Sequence, residues 1–201
     1  MRKPFLLLAL LCPAGAPSLA AQTTYYARLG AVGASNLIRD VIVDEITVRQ
    51  SIAPLLAVGA ALPFSERGYR VGIEATLASG KFHSSENGSD TDLGTIRTGA
   101  IMLQLDGPLY RQFRWTAGLG GIKYWPKDQD GIFREGGKLR LLAGAGVDYR
   151  RPVMPKWDLM TSLRYDWHRF TTDELERRGF SQTQGVSRIS LSVGLSRSVA
   201  R

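Results

Sequence analysis

From Thr24 onward the chain repeatedly alternates apolar with polar or small residues. Ala27, Leu29 and Ala31 alternate with Arg28 and Gly30, and Leu56, Val58, Ala60, Leu62 and Phe64 with Ala57, Gly59 and Ala61. Val71, Ile73, Ala75 and Leu77 alternate with Arg70, Gly72, Glu74 and Thr76. Further on come Trp115, Ala117 and Leu119, then Leu141, Ala143, Ala145, Val147 and Tyr149, then Trp157, Leu159, Thr161, Leu163, Tyr165 and Trp167. Ile189, Leu191, Val193 and Leu195, set against Arg188, Ser190, Ser192 and Gly194, make the cleanest run, while 95–105 mixes both parities. Successive side chains of a strand point to opposite faces, so a period of two predicts strands, eight in all.

The connectors have a rhythm of their own. Those at 35–51, 78–94, 124–138 and 169–185 are long, and those at 63–68, 106–113 and 150–156 are short. In an up-and-down meander every second connector falls at the same end. Four long loops therefore crowd one end, and three tight turns share the other with both termini. Membrane β-barrels sort their loops in this way, whereas a soluble sandwich has no reason to.

Tryptophan placement fixes a length scale. Trp115 and Trp125 are ten residues apart, as are Trp157 and Trp167. At about 3.3 Å per residue and a tilt near 40°, ten residues climb about 25 Å, the height of the apolar band on a membrane barrel. An indole is apolar in its ring and polar at its N–H, so it favours the two boundaries of that band. The expected girdles hold Trp115, Trp157, Tyr69, Tyr149 and Phe64 at the turn end, and Trp125, Trp167 and Tyr165 at the loop end.

A spanning sheet must close on itself, because lipid cannot satisfy an open edge, and an arginine in mid-belt costs about 2–4 kcal/mol. The charged parity is therefore expected to face the lumen, with Arg28, Arg70, Glu74, Arg97, Arg140, Asp148, Asp158, Arg164, Asp166 and Arg188 inside. Eight strands enclose just enough room for side chains, so these groups are expected to pair and close the bore. The inward glycines leave space for the long arginines.

Composition trims the alternatives. With 201 residues and 44% hydrophobic residues, the chain is long and apolar enough for one folded domain. Residues 1–21 run from a basic start (Arg2, Lys3) through an apolar stretch to Leu19-Ala20-Ala21, which predicts a cleaved signal peptide and assigns 22–201 to one barrel domain. The single cysteine, Cys12, lies in that leader, so no disulfide is expected. The formal charge of +8 includes both leader cations, and no lysine-rich run interleaved with aromatics follows, so nucleic acid is not an expected partner.

The segments "LLAVGAALPF", "LRLLAGAGVDYR", "TSLRYDWHRF" and "ISLSVGLS" resemble the small eight-stranded outer-membrane β-barrel family of OmpX and the OmpA membrane domain. The resemblance runs from about residue 22 to the end. It implies an outer-membrane, monomeric, structural, adhesive or stress-related protein with no cofactor and no catalytic residue. Its expected partners are outer-membrane lipid and lipopolysaccharide, with a surface ligand reached through the loops. The family usually ends its last strand on an aromatic residue; this chain ends Ser-Val-Ala-Arg.

Three other readings make distinct demands. A lipid A-modifying enzyme would use His168 as base at the outer rim, oriented by Asp166, with Ser187 or Ser190 as nucleophile; Phe170 stands where such deacylases carry a serine two residues after the histidine. A calcium site would use Asp90 and Asp92 of "KFHSSENGSDTD". A soluble ligand-binding barrel would invert the polarity, with apolar side chains inside and charged ones in water.

Overall fold

The computed structural model describes residues 22–36, 38–41, 45–86, 89–126, 137–170 and 184–199. The predicted leader lies outside them. Eight strands form the barrel wall: β1 (Thr23–Ala34), β4 (Ala53–Pro63), β5 (Arg70–Glu86), β6 (Ser89–Tyr110), β7 (Phe113–Pro126), β8 (Arg140–Met154), β9 (Trp157–Phe170) and β10 (Gln184–Val199). Two short strands, β2 (Ile38–Val41) and β3 (Glu45–Gln50), lie between β1 and β4 in sequence. All pairings are antiparallel, and each wall strand bonds to its neighbours in chain order. Closure comes from β1 and β10, which run in register from Thr23 opposite Val199 to Ala34 opposite Arg188.

Two of the long connectors, at 35–51 and 78–94, carry more strand than their composition predicts. Strands β5 and β6 continue as one hairpin from the wall to Glu86 and Ser89, with a register shift between Lys81 and His83. Residues 35–51 contain the β2–β3 hairpin, and β3 pairs with the upper part of β5, Ile46 opposite Glu86 and Gln50 opposite Phe82. Above the belt the outer face of a strand meets water and not lipid, so the demand for apolar residues on that face lapses although the backbone pairing continues. At the other end the turns are tight: Gly68, Arg111 and Lys156 take φ of 80°, 48° and 68°, so only the first meets its left-handed turn without a Cβ.

The faces sort by polarity as a membrane requires. Leu29, Leu56, Val58, Val71, Ile73, Ile101, Leu103, Leu119, Leu141, Leu163, Ile189 and Leu191 are exposed, while Arg28, Glu74, Asp148, Arg164 and Arg188 are buried. Such an inverted distribution leaves a broad apolar belt on the outside, which in water would be an aggregation surface. The soluble-barrel reading, with apolar side chains lining the bore and charges outside, is overturned by this sorting.

Candidate functional site: a two-layered lumen plug

Inward side chains fill the bore in two layers. The lower layer is ionic and is built on three carboxylates, Glu74, Asp106 and Asp148, each bridging two guanidinium groups. Glu74 of β5 receives Arg28 Nη2 from β1 and Arg164 Nη1 from β9, the latter at 2.5 Å. Arg164 Nη2 also reaches Asp166 at 3.4 Å and Met102 Sδ at 3.3 Å. Arg28 Nη1 lies 3.7 Å from Asp148, whose second oxygen is 3.5 Å from Arg150. Nearer the turns, Asp106 of β6 accepts Arg70 Nη2 at 2.9 Å and Arg114 Nη2 at 2.5 Å, and that Arg114 nitrogen also reaches the Gly68 carbonyl. These bonds tie six wall strands, β1 and β5 to β9, across the bore. Gly146 makes room for the network, since a Cβ there would stand 2.9 Å from Arg164 Cγ.

The upper layer is apolar. Val48, Phe82, Ile96, Ala100, Met102, Ile122, Tyr124, Leu142, Phe170 and Val186 pack into one buried cluster, to which β3 and the hairpin extension of β5 each contribute a residue. A second, smaller cluster of Val32, Ala53, Leu55 and Ala78 lies inside the β1–β4–β5 wall. Within the larger cluster sits His168, fully buried, with its Nε2 2.7 Å from the Tyr124 hydroxyl. Tyr124 in turn packs edge-on against Phe170 at 5.2 Å. In Tyr124→Phe the imidazole loses that partner among apolar neighbours, an expected loss of about 1–3 kcal/mol. Urea unfolding of the detergent-solubilised protein measures it, and an unshifted midpoint would show the bond to be incidental.

The ten charged residues expected in the lumen fall as follows. Arg28, Arg70, Glu74, Asp148, Arg164 and Asp166 join the ion-paired network. Arg188 is buried and stands opposite Asp166 in the register of β9 and β10. Arg140 takes the inward parity at the outer end of β8, and Asp158 does so at the turn end of β9, opposite Ser196. Arg97 is a correction. It is exposed, on the parity of Ile101, Leu103 and Leu105, beside Trp125 in the register of β6 and β7. At the belt's edge an outward arginine extends its head to water, so the cost that forces mid-belt charge inward does not apply. Three network members were absent from the expectation: Asp106, Arg114 and Arg150. Asp106 and Arg150 begin what read as tight connectors and Arg114 directly follows one; continuing the inward parity of Met102-Gln104, Thr116 and Asp148 past the strand ends would have found them.

The girdle residues occupy the outward face. Trp115 and Trp125 share the outward parity of β7, and Trp157 and Trp167 that of β9. Tyr69 packs between Phe64 and Trp115, each 6.3 Å away, over Gly107, where a Cβ would lie 2.6 Å from the Tyr69 ring. Tyr149 packs at a tilt against Phe113, ring centres 5.2 Å apart, and the Arg197 guanidinium lies over Trp157 at 5.4 Å. At the loop end Lys123 sits 5.8 Å from the Trp125 ring, and the Tyr165 hydroxyl bonds to Ser187 Oγ at 2.7 Å.

The geometry does not assemble the enzyme reading. His168 is fully buried within the apolar layer and is bonded to Tyr124, while Asp166 pairs with Arg164. Ser187 is bonded to Tyr165 on the outer face, and Ser190 is buried in the lumen. Of the two candidate calcium ligands, Asp92 lies above the belt. It accepts the Gly94 N–H at 2.8 Å and lies 3.7 Å from Lys81; that N–H, with Lys81 and His83, holds its carboxyl below the usual carboxylate range. The side chain of Asp90 lies outside the described residues. Among the described residues no three His, Cys, Asp or Glu side chains gather at one point.

A closed eight-stranded antiparallel barrel with an apolar belt, aromatic girdles and a filled bore is a transmembrane β-barrel of the small outer-membrane type. Solved structures agree. The outer-membrane protein AlkL in lipid bilayers superposes with a TM-score of 0.64 at 15% identity, covering 100% of this chain and 98% of that one. Neisserial surface protein A superposes with a TM-score of 0.59 at 14% identity, covering 88% and 97%. At these identities the likeness is one of fold. No protein-family model matches the sequence, and no curated protein matches it either.

Proposed function

We propose that the chain is a non-enzymatic outer-membrane protein, held by outer-membrane lipid and lipopolysaccharide, whose barrel is a sealed monomeric scaffold for its external connectors. Its role is structural or one of surface recognition. The observation that carries this reading is the double plug: a salt-bridged layer across the bore and an apolar layer above it. A conduit would leave a continuous wet path. Here an ion would have to displace bridging guanidinium groups and then enter a dry cluster.

Two measurements test the proposal together. Purified protein reconstituted in planar bilayers is expected to show no steady open-channel current; a persistent conductance would overturn the sealed scaffold. Replacing residues 171–183 with a glycine–serine linker is expected to leave the heat-modifiable gel shift of the folded barrel unchanged while abolishing adherence of whole cells to abiotic or cellular surfaces. Unchanged adherence would count against recognition through that connector.

A further inference from the structure

Most of the outward belt is bulky, but one sector is recessed. Ala117 of β7 and Ala143 and Ala145 of β8 floor a groove of about 790 Å³, walled by Leu103, Leu105 and Leu119 on one side and by Tyr165 and Trp167 on the other. Its floor follows two register rows: Leu105, Ala117, Ala145, Tyr165, and Leu103, Leu119, Ala143, Trp167. On β6 and β7 these rows lie nearer the turn-end girdle, and on β9 they reach the loop-end girdle. The groove thus climbs obliquely to Trp167.

Cations stand at its upper end. Arg169 is exposed two residues beyond Trp167 on the same face. Lys123, beside the Trp125 ring, lies two strands away and two residues further along, about 12 Å between backbones at the spacing of paired strands. Arg97 flanks Trp125 on the far side. Among the described residues on the outward parity of β6 to β9, from Thr95 to Arg169, there is no aspartate or glutamate. Among the described residues the sector therefore pairs an apolar recess with cations alone on its outward face at the loop end.

We propose that this groove seats an acyl chain of a phosphorylated lipid of the lipid A class, with a phosphate held between Lys123 and Arg169. The inference rests on the membrane reading above and gives it a specific lipid site. At this depth only hydrocarbon is available to fill a recess, and the headgroup of that same molecule reaches the cations. A second copy of the barrel fits less well, because a two-fold interface would bring Lys123 and Arg169 of both copies together without acids to offset them.

The test is native mass spectrometry of the full-length barrel in detergent, titrated with lipid A and with phosphate-free lipid A. One lipid A is expected to be retained per barrel. In the double variant Lys123→Gln/Arg169→Gln its affinity is expected to fall about 25-fold, roughly fivefold for each cation near an anionic lipid, with phosphate-free lipid A unaffected. In Ala143→Leu/Ala145→Leu, which fills the groove, both lipids are expected to bind more weakly. Equal retention by wild type and the charge variant, equal affinity for the two lipids, or a lipid-free dimer would each overturn the site. Loss of the heat-modifiable shift in the wild type would overturn the membrane reading instead.

Discussion

Glu74→Ala is expected to lower the stability of the barrel by about 3–5 kcal/mol, the largest effect of any single lumen substitution. Glu74 is buried, and its two oxygens meet guanidinium groups from two other strands, Arg28 from β1 and Arg164 from β9, the latter directly across the bore. Removing the carboxylate leaves Arg164 with Asp166 at 3.4 Å and Arg28 with Asp148 at 3.7 Å, both looser than the lost pairs. Two positive charges then face each other in a space closed to bulk water. Equilibrium unfolding in urea from lipid vesicles, read by the heat-modifiable shift, gives the difference directly. The control is Glu66→Gln in the exposed turn after β4, where a change within about 0.5 kcal/mol is expected. A Glu74 variant as stable as that control would mean the lumen charges are hydrated individually and that the network does not hold the wall strands together.

The partition of residues between lumen and lipid was legible wherever the membrane itself imposes it. Within the belt, one face must be apolar and the other is free to be charged, so alternation in 24–34, 71–77 and 189–195 translates directly into wall strands and inward arginines. Indole spacing was legible for the same reason, since two water boundaries fix two depths. Outside the belt the constraint lapses. The hairpin above Lys81 and the β2–β3 pair read as loops because backbone hydrogen bonds, not a lipid face, hold them in strand form. Arg97 was misassigned at that same boundary, where an arginine is tolerated on either face. The apolar upper layer was invisible for a different reason: Phe82, Ile96, Ile122, Leu142 and Val186 come from five strands, and inward apolar residues at strand ends look locally like breaks in the pattern. Only the ring closure brings them together with Tyr124 and His168.

Leu163→Arg is expected to destabilise the barrel by about 2–4 kcal/mol, although Leu163 is 54% exposed and an exposed-site substitution in a water-soluble protein would cost little. The position is midway between Trp157 and Trp167 on β9, opposite Leu191 on β10 and Val147 on β8, so an arginine there must either sit in hydrocarbon or stretch along the wall to a boundary. Its neighbour makes the comparison stringent. Arg164, one residue on, is buried and indispensable to Glu74 and Asp166, so adjacent positions are expected to require opposite chemistries. Arg164→Leu should destabilise by leaving carboxylates unpaired, and Leu163→Arg by placing an unpaired cation in lipid. Repeating the Leu163 measurement in detergent micelles, where water penetrates more freely, is expected to shrink its penalty while leaving that of Arg164 nearly unchanged. Depth gives the second axis. Moving the introduced arginine from 163 to 169's level is expected to reduce the cost to about 0–1 kcal/mol, because the wild-type chain already carries Arg169 there. A flat profile along β9, with Leu163→Arg as benign as a rim arginine, would mean that the exposed leucines do not face hydrocarbon.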